Sequence, residues 1–413
     1  MINCNYLFFM MVFLYPIFST ATEQKANNFL VISDIHLNLN SQHLMEFSPS
    51  KKLAANDLDL PTFKALISDT RKNIKNGVIS KPAFIIILGD IQGHARDVKK
   101  IPETEATVFK VIKETFPNTP IFYTFGNNDA LSAHYGPFTA SEKNDPLKNP
   151  YEIAMHAGWD RGFLSTGTYC DKEKKYPCII NEDSTNGYYS AWIAPNLRLI
   201  TLNSVLFSTK RQGVTQQEAL HQLQWFEEQL KNAKMNHESS IIAMHVPPGQ
   251  NILDHSAFWM EDNLASFLKI IQTYQANIVG ILGSHTHKEE IKIIRNAAGK
   301  NLAGVYYTPA LSTIYGNEPA LKTFYFAQQN KQWVLTNYKT FHFSMVNSNL
   351  VVSKLYDYVG YYCTGKHQIL FDCLNDVTIE KMKKYFSAGN KNFAGIIAYP
   401  GDMVLVTPNE GIE

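Results

Sequence analysis

The stretch Phe84-Ile-Ile-Ile-Leu-Gly-Asp-Ile-Gln-Gly-His94 decides the fold of this chain. Its first five residues are apolar and predict a buried strand, and Gly89 and Asp90 follow where that strand ends. In open α/β sheets, ligands bind beyond the carboxyl ends of the strands, so a carboxylate at this point is well placed for chemistry. We therefore interpret Asp90 as a metal ligand that two ions share.

The same arrangement, an apolar strand followed by polar side chains, recurs along the chain. The polar tips are Asp34 and His36 after a strand at 29–33, Asn127 after 121–125, His245 after 240–244, and His285 and His287 after 277–282. Helical periodicity at 61–77, 103–116 and 216–233 alternates with these strands, and this alternation is typical of an α/β core.

Later apolar runs predict a second sheet and a change of pattern near the C-terminus. The runs at 291–295, 303–308, 322–326 and 333–338 are expected to complete that second sheet. Beyond residue 345 the pattern becomes local and partly helical. We therefore predict one large domain over 29–340 and a small, partly helical subdomain over 345–413.

The composition is that of a well-cored globular protein rather than of a polyanion-binding one. Hydrophobic residues make up 45% of the 413, and 38 Lys and Arg balance 37 Asp and Glu. This balance gives no support for a nucleic-acid polymer as partner, and an anionic substrate has to be held locally. No segment predicts stable membrane insertion.

The N-terminal residues and the cysteines point to export. An apolar run of about 12 residues is too short to span a bilayer, which takes roughly 20, and Ser19-Thr20-Ala21 supplies small residues for cleavage, so residues 1–21 are predicted to be a signal peptide. Four cysteines remain: Cys170, Cys178, Cys363 and Cys373. Two local disulfides, 170–178 and 363–373, are the simplest of three connectivities, and free buried thiols are the alternative.

The seven polar tips form a donor set suited to divalent ions. Carboxylates, imidazoles and one amide, without a thiolate, favour zinc, with manganese or iron as alternatives. Seven groups exceed one tetrahedral centre, but they suffice for two ions about 3.5 to 4 Å apart if one carboxylate bridges. Such a pair clamps the entering and leaving oxygens of a phosphoryl displacement.

These motifs resemble those of a known family, the calcineurin-like metallophosphoesterases. Within it the chain is most similar to the acid sphingomyelinase-like phosphodiesterases, through the Asp90 and His94 spacing, His245-Val-Pro-Pro-Gly249 and Tyr315-Gly-Asn-Glu-Pro319. The resemblance implies a four-layer fold, two divalent ions, and hydrolysis by metal-activated water. It places one ion on Asp34, His36, Asp90 and His287, and the other on Asp90, Asn127, His245 and His285.

The chain departs from this family at the group that protonates the leaving oxygen. Asn128 stands where the family's block has a histidine, and an amide has no proton to give at neutral pH. His94 is one replacement, with a role in supporting the ligands as the alternative reading; a leaving group of low pKa would need little protonation. His43, His134 and His255 are interpreted as surface loop residues, His134 being the nearest to the site.

The leading hypothesis is an exported phosphodiesterase that hydrolyses a small, soluble phosphorylated substrate such as a nucleotide. Sphingomyelin cleavage is one rival, opposed by the short distance between the signal and the first motif, which leaves no room for a lipid-binding domain. Polyphosphate cleavage is another, supported by Asn128 and opposed by the absence of a basic tract. A silent scaffold used for binding is the third, opposed by the complete ligand set.

Overall fold

The computed structural model describes residues 27–40, 57–94, 97–131, 134–138, 150–159, 170, 176–347, 349–365, 369–389 and 403–408. The predicted signal peptide at 1–21 and His43 lie outside these residues. The strands, in chain order, are β1 Asn27–Ile32, β2 Ile85–Leu88, β3 Ile121–Thr124, β4 Cys178–Asp183, β5 Tyr188–Ala194, β6 Leu197–Leu202, β7 Ser239–Met244, β8 Ile278–Gly283, β9 Ile291–Arg295, β10 Asn301–Tyr307, β11 Ala320–Gln329, β12 Gln332–Val346, β13 Asn349–Asp357 and β14 Val404–Val406. The helices are α1 Leu60–Lys75, α2 Ile101–Thr115, α3 Pro150–His156, α4 Gln216–Met235, α5 Glu261–Tyr274, α6 Tyr358–Tyr362 and α7 Ile379–Lys383.

Two mixed sheets lie face to face. The first has six strands in the order β13-β12-β11-β1-β2-β3, and the second has eight in the order β14-β9-β10-β8-β7-β6-β5-β4. Between them, the ring of Tyr306 on β10 packs 6.3 Å from Phe324 of the first sheet and 5.9 Å from Tyr338. Helices cover the outer faces, which confirms the predicted α/β fold with two stacked sheets.

Strand β2, which ends at Asp90, is buried on both faces because helices and the second sheet enclose it. All four residues of β2 are buried, as a continuous apolar run in a parallel sheet requires. It pairs in parallel with β1 on one side and β3 on the other. The three strands therefore end at one edge, and β6, β7 and β8, also parallel, end at the edge that faces it.

One sheet assignment from the sequence is wrong. The runs at 322–326 and 333–338 were expected in the second sheet, but they lie in β11 and β12 of the first sheet, where β11 pairs antiparallel with β1. An apolar run indicates a strand without indicating its partner, and here the chain returns to the first sheet through a hairpin.

The segments after residue 345 contribute to both sheets. β13 pairs with β12 at the edge of the first sheet, and β14 pairs in parallel with β9 at the edge of the second. The division into 29–340 and 345–413 stays a prediction. Disulfides join Cys170 to Cys178 and Cys363 to Cys373, which confirms the local connectivity.

Candidate metal centre

The polar strand tips meet where the two sheets face each other, and their backbone is strained. Five candidate ligands have a positive φ, the region that non-glycine residues avoid at a cost of order 1 kcal/mol each: Asp34 (47°), His36 (45°), Asp90 (52°), His285 (76°) and His287 (63°). Such conformations persist only where the surroundings enforce them. The backbone here turns each side chain inward, toward a shared centre.

Six of the seven predicted ligands form two clusters. One consists of Asp34, His36 and His287, and the other of Asp90, His245 and His285; within each, the candidate ligand atoms all lie within 4.8 Å of one another. Asp90 Oδ2 lies between the clusters, 3.3 Å from His245 Nε2 and 3.6 Å from His36 Nε2. This position is the one that a bridging carboxylate needs.

Hydrogen bonds fix which imidazole nitrogen faces each cluster. His245 Nδ1 donates to the Leu88 carbonyl oxygen at 2.6 Å, and His36 Nδ1 donates to the Gln92 carbonyl oxygen at 3.0 Å. Because a carbonyl oxygen only accepts, Nδ1 carries a hydrogen, and Nε2 is the nitrogen that faces the cluster and could bind a cation. His285 has the opposite arrangement, with its Nε2 3.1 Å from the Tyr135 hydroxyl.

Asp129 shapes the loops that carry Asp90 and Asn127. Its carboxylate accepts hydrogen bonds from the backbone N–H groups of Asp90 at 2.8 Å, Ile91 at 2.9 Å and Gly126 at 2.7 Å. Gly126 has to be glycine because an added Cβ would lie 2.1 Å from Asp90 Oδ1. The motif Gly126-Asn-Asn-Asp129 therefore holds the strand ends together as well as supplying a candidate ligand.

Several buried polar atoms of the candidate ligands fit a bound cation. Asp34 Oδ1, Asn127 Oδ1 and His245 Nε2 have no hydrogen-bond partner among the described residues. Buried polar groups are almost always satisfied, so three orphaned lone pairs on one set of side chains require an explanation. Carboxylate, amide and imidazole donors in this arrangement fit divalent metal ions.

His94 lies beside the clusters and is held there by hydrogen bonds to Asp57. The Asp57 carboxylate accepts from the His94 backbone N–H at 2.7 Å and from His94 Nδ1 at 2.9 Å, and the His94 ring stacks on that of His36 at 4.3 Å. Its Nε2 lies 3.4 Å from the Tyr315 hydroxyl. His94 therefore lies directly beside a predicted ligand, His36.

A cavity of about 530 Å³ opens beside the clusters. Its lining includes four of the predicted ligands, His94, Asn128, two lysines and several aromatic residues: Asp90, His94, Asn127, Asn128, His134, Tyr135, Lys210, Asn251, Leu253, Phe258, His285, Thr286, His287, Lys288 and Tyr315. His134 is half-buried in this lining and hydrogen-bonds Asn128. Its interpretation as a surface residue was wrong, because the residue lies in the cavity wall against Asn128.

Other residues of the site gave no signal in the sequence. Asp57 lies in a polar stretch between the first strand and the first helix, and nothing in the sequence distinguished it from its neighbours. Tyr135 was not distinguished at all, and Tyr315 entered only as part of the motif Tyr315-Gly-Asn-Glu-Pro319, without a role of its own. Lys288, buried next to His287, could have been noticed as a cation at the end of a ligand motif.

Protonation of the metal-free site should depend strongly on pH. Burial lowers the pKa of His285 to about 3 and that of His287 to about 4. Against the effect of burial, the carboxylates of Asp90 and Asp34 raise the pKa of His245 to about 10. The ordinary histidine pKa is 6.5. Below this pH the folded state binds fewer protons at His285 and His287 than the unfolded state does, and above it the folded state binds more at His245.

We expect the metal-free protein to be most stable near the ordinary histidine pKa of 6.5. Below it, His285 and His287 bind protons in the unfolded state but not in the folded state, so the free energy of unfolding falls with falling pH. Above it, the stabilisation from protonated His245 is lost as pH rises toward 10. Urea unfolding of chelator-treated protein between pH 4 and 9 measures this. His245→Gln should flatten the alkaline limb, whereas exposed His156→Gln should not; a steady rise across the whole range would contradict the assignment.

Comparison with known proteins places the chain in a family. The family model for calcineurin-like phosphoesterases matches residues 28–289. The chain therefore belongs to the calcineurin-like phosphoesterase family, whose members hydrolyse phosphoric esters, as the motifs predicted.

The relatives lie in the expected branch. "Sphingomyelinase phosphodiesterase D" of Dictyostelium discoideum is 27% identical over 314 residues, 73% of this chain and 66% of that protein. A human protein named cyclic GMP-AMP phosphodiesterase is 24% identical over 290 residues, 65% of this chain and 57% of that one. Human "acid sphingomyelinase-like phosphodiesterase 3b" is 23% identical over 259 residues, 59% and 53% of the two chains. These matches confirm the resemblance to the acid sphingomyelinase-like branch. The chain spans less than two thirds of the length of these curated relatives.

A solved structure of a dimetal phosphatase from Danio rerio is also similar. It has a TM-score of 0.44 at 12% identity, with 76% of this chain and 95% of that one covered.

Proposed function

We propose that this chain is an exported, dinuclear metal-dependent phosphodiesterase that hydrolyses soluble phosphodiesters or phosphoanhydrides such as nucleotides. The observation that carries the proposal is the pair of ligand clusters, with their orphaned buried lone pairs, at the wall of a cavity lined by cations. A cavity of about 530 Å³ is within the range of about 300–1,000 Å³ that small-molecule sites occupy.

The seven predicted ligands would divide between two ions. Asp34, His36, Asp90 and His287 would hold the first, and Asp90, Asn127, His245 and His285 the second, with Asp90 shared. We propose zinc, with manganese or iron as alternatives, because the donors are borderline in softness. When bound, two such ions supply an activated water and neutralise charge on the phosphoryl oxygens.

The charge of the cavity favours an anionic substrate. Lys210 and Lys288 both line it, and Lys288 is held by the Tyr315 carbonyl oxygen, which accepts from its Nζ at 2.7 Å. Phe258 and Tyr315 add aromatic faces on which a base can stack. A nucleotide or phosphoanhydride matches this combination, and one relative carries the name of a cyclic GMP-AMP phosphodiesterase. A choline headgroup, being cationic, matches it less well.

His94 is positioned to bind the phosphoryl group. Asp57 accepts from its Nδ1–H, which leaves Nε2, beside His36, as the nitrogen that faces a phosphoryl oxygen. The role of His94 as proton donor to the leaving oxygen stays a prediction.

Export is supported by the two disulfides, since disulfides persist in oxidising compartments. The signal peptide at 1–21 stays a prediction. Among the residues that the structure describes, no helix has the length and the apolar character needed to cross a membrane.

A substrate panel with metal analysis tests the proposal. The purified chain is offered ATP, CDP-choline, bis(p-nitrophenyl) phosphate, long polyphosphate and sphingomyelin vesicles, while bound metal is counted. We expect two divalent ions per chain and hydrolysis of the soluble substrates. Cleavage of sphingomyelin alone would overturn the substrate class, and two bound ions without any hydrolysis would leave a binding scaffold.

A matched pair of variants links the cavity to the substrate. Lys210→Met should raise KM for ATP about tenfold, the scale of one charge-assisted contact of 1.5 kcal/mol, with little change for bis(p-nitrophenyl) phosphate. Lys231→Met, on the exposed face of α4, should change neither. Equal effects of the two variants would remove Lys210 from substrate binding.

A further inference from the structure

We propose that His134 delivers the proton to the leaving oxygen, while His94 holds the phosphoryl group; this inference rests on the proposed phosphodiesterase function. When a phosphodiester of an alkyl alcohol is hydrolysed, the group that leaves phosphorus is an alkoxide, which is a poor leaving group. A positioned acid therefore contributes typically 10² to 10⁴-fold to the cleavage rate. Three observations on the contacts of Asn128, His134 and Tyr135 lead to this residue.

The first observation concerns Asn128, whose amide orientation is decided by its neighbour. Its Nδ2 donates to Asp90 Oδ2 at 2.6 Å, and its backbone N–H donates to Asp90 Oδ1 at 2.8 Å. A carboxylate only accepts, so the NH₂ group has to face Asp90 and the amide oxygen has to face the other way. That oxygen meets Nδ1 of His134.

The second observation is the tautomer that follows. Since the amide oxygen of Asn128 accepts, His134 Nδ1 carries a hydrogen in both charge states, and Nε2 is the nitrogen that gains and loses a proton. The Asn128 side chain thus connects the imidazole to Asp90 through two hydrogen bonds. Asn128 therefore holds the His134 imidazole close to Asp90, with only the Asn128 side chain between the two.

The third observation is that the segment carrying His134 is tied to the centre at three points. The backbone N–H of Tyr135 donates to the Asn127 carbonyl oxygen at 2.9 Å, its own carbonyl oxygen accepts from Gln212 at 2.7 Å, and its hydroxyl lies 3.1 Å from His285 Nε2. Tyr135 also has a φ of 59°, a strained conformation that these contacts hold. His134 is therefore a fixed part of the cavity wall, and its ring lies 5.9 Å from that of His94.

The two histidines have different surroundings, which separates their roles. His94 is held by Asp57, whose carboxylate accepts from its backbone N–H and from Nδ1, and its ring stacks on that of His36. His134 is held by the amide oxygen of Asn128, the residue that stands where the family's block has its histidine, so it lies next to the position of the missing acid. In the proposed step, the water oxygen forms a bond to phosphorus and releases one proton to solvent as the bond to the leaving oxygen breaks. That bond's electron pair goes to the leaving oxygen, which takes the Nε2 proton of His134, and the imidazole regains a proton from solvent.

Substrates with different leaving groups test the assignment. On a 3′,5′-linked dinucleotide, whose leaving group is an alkoxide, His134→Gln should lower kcat about 10² to 10⁴-fold, and on bis(p-nitrophenyl) phosphate less than about tenfold. His94→Gln should lower activity on both substrates by similar factors and weaken binding of inorganic phosphate. His221→Gln, largely exposed on α4, serves as the matched control.

Two further readouts do not depend on turnover. Metal content and circular dichroism should be unchanged in His134→Gln, which establishes that the variant folds and loads. In ¹⁵N-labelled protein, His134 Nδ1 should keep its hydrogen across the titration while Nε2 titrates, and Asn128→Ala should abolish this preference.

The outcomes separate this inference from the proposed function. Equal losses on both substrates for His134→Gln, or a leaving-group-dependent loss for His94→Gln, would overturn the role of His134 while leaving the phosphodiesterase standing. A wild-type protein that loads two ions and cleaves neither substrate would overturn both.

Discussion

Asp90→Asn is expected to lower the activity on bis(p-nitrophenyl) phosphate by about 10³-fold or more, the scale of losing a preorganised charged group at a reacting centre. Asp90 Oδ2 lies near both clusters, 3.3 Å from His245 Nε2 and 3.6 Å from His36 Nε2. An amide is a poorer ligand and cannot neutralise two cations, so bound metal should fall below two ions per chain.

The control for this variant is Asp262→Asn, which changes an exposed carboxylate in the first turn of α5. It should leave metal content and activity within error of the wild type. Asp90→Asn protein that retains two ions and full activity would remove Asp90 from the bridging position and with it the dinuclear assignment.

Gly126→Ala is expected to abolish metal loading without touching a ligand. The added methyl group would lie 2.1 Å from Asp90 Oδ1 and 2.5 Å from the Asp90 backbone nitrogen, and neither atom can move away. Asp90 is held there by Asp129 and by Asn128. We expect the free energy of unfolding to fall by about 3 kcal/mol, the upper range for overpacking. Urea unfolding and metal analysis of the same sample measure the two effects.

Gly77→Ala is the matched comparison, because a Cβ at Gly77 meets nothing within 4 Å although φ is 76°. The substitution should cost about 1 kcal/mol of backbone strain and leave the bound metal unchanged. If Gly126→Ala behaved like Gly77→Ala, the close approach of the two loops would have no importance for the centre.

Much of this arrangement was predictable because it is local in the chain. Each strand tip combines an apolar run with polar residues at its end, so the strands before Asp34, Asp90 and His245 could be recognised, and parallel strands place their ends at one edge. The family resemblance then supplied the grouping of the ligands. The two clusters in the structure follow the same grouping.

What the sequence did not reveal depends on contacts between distant segments. Asp57 reaches His94 across 37 residues, and Tyr135 reaches His285 across 150. The hairpin of β11 and β12 joined the first sheet because of a pairing between Val31 and Lys322 that no local pattern encodes. His134 was interpreted as a surface loop residue, though the nearest of them to the site, for the same reason, since only the fold shows its contact with Asn128.

The two ligand clusters connect the two sheets. Each draws ligands from both sheets: Asp34 and His36 with His287 in one, Asp90 with His245 and His285 in the other. An ion in either cluster is thus a cross-link between two layers that are otherwise joined by packing and hydrogen bonds, and it closes chain loops of more than a hundred residues. Since such an ion binds only the closed arrangement, it makes the two sheets unfold as one unit. Chelation should let them open separately, so loss of metal would expose the seam between the layers before either sheet itself is lost.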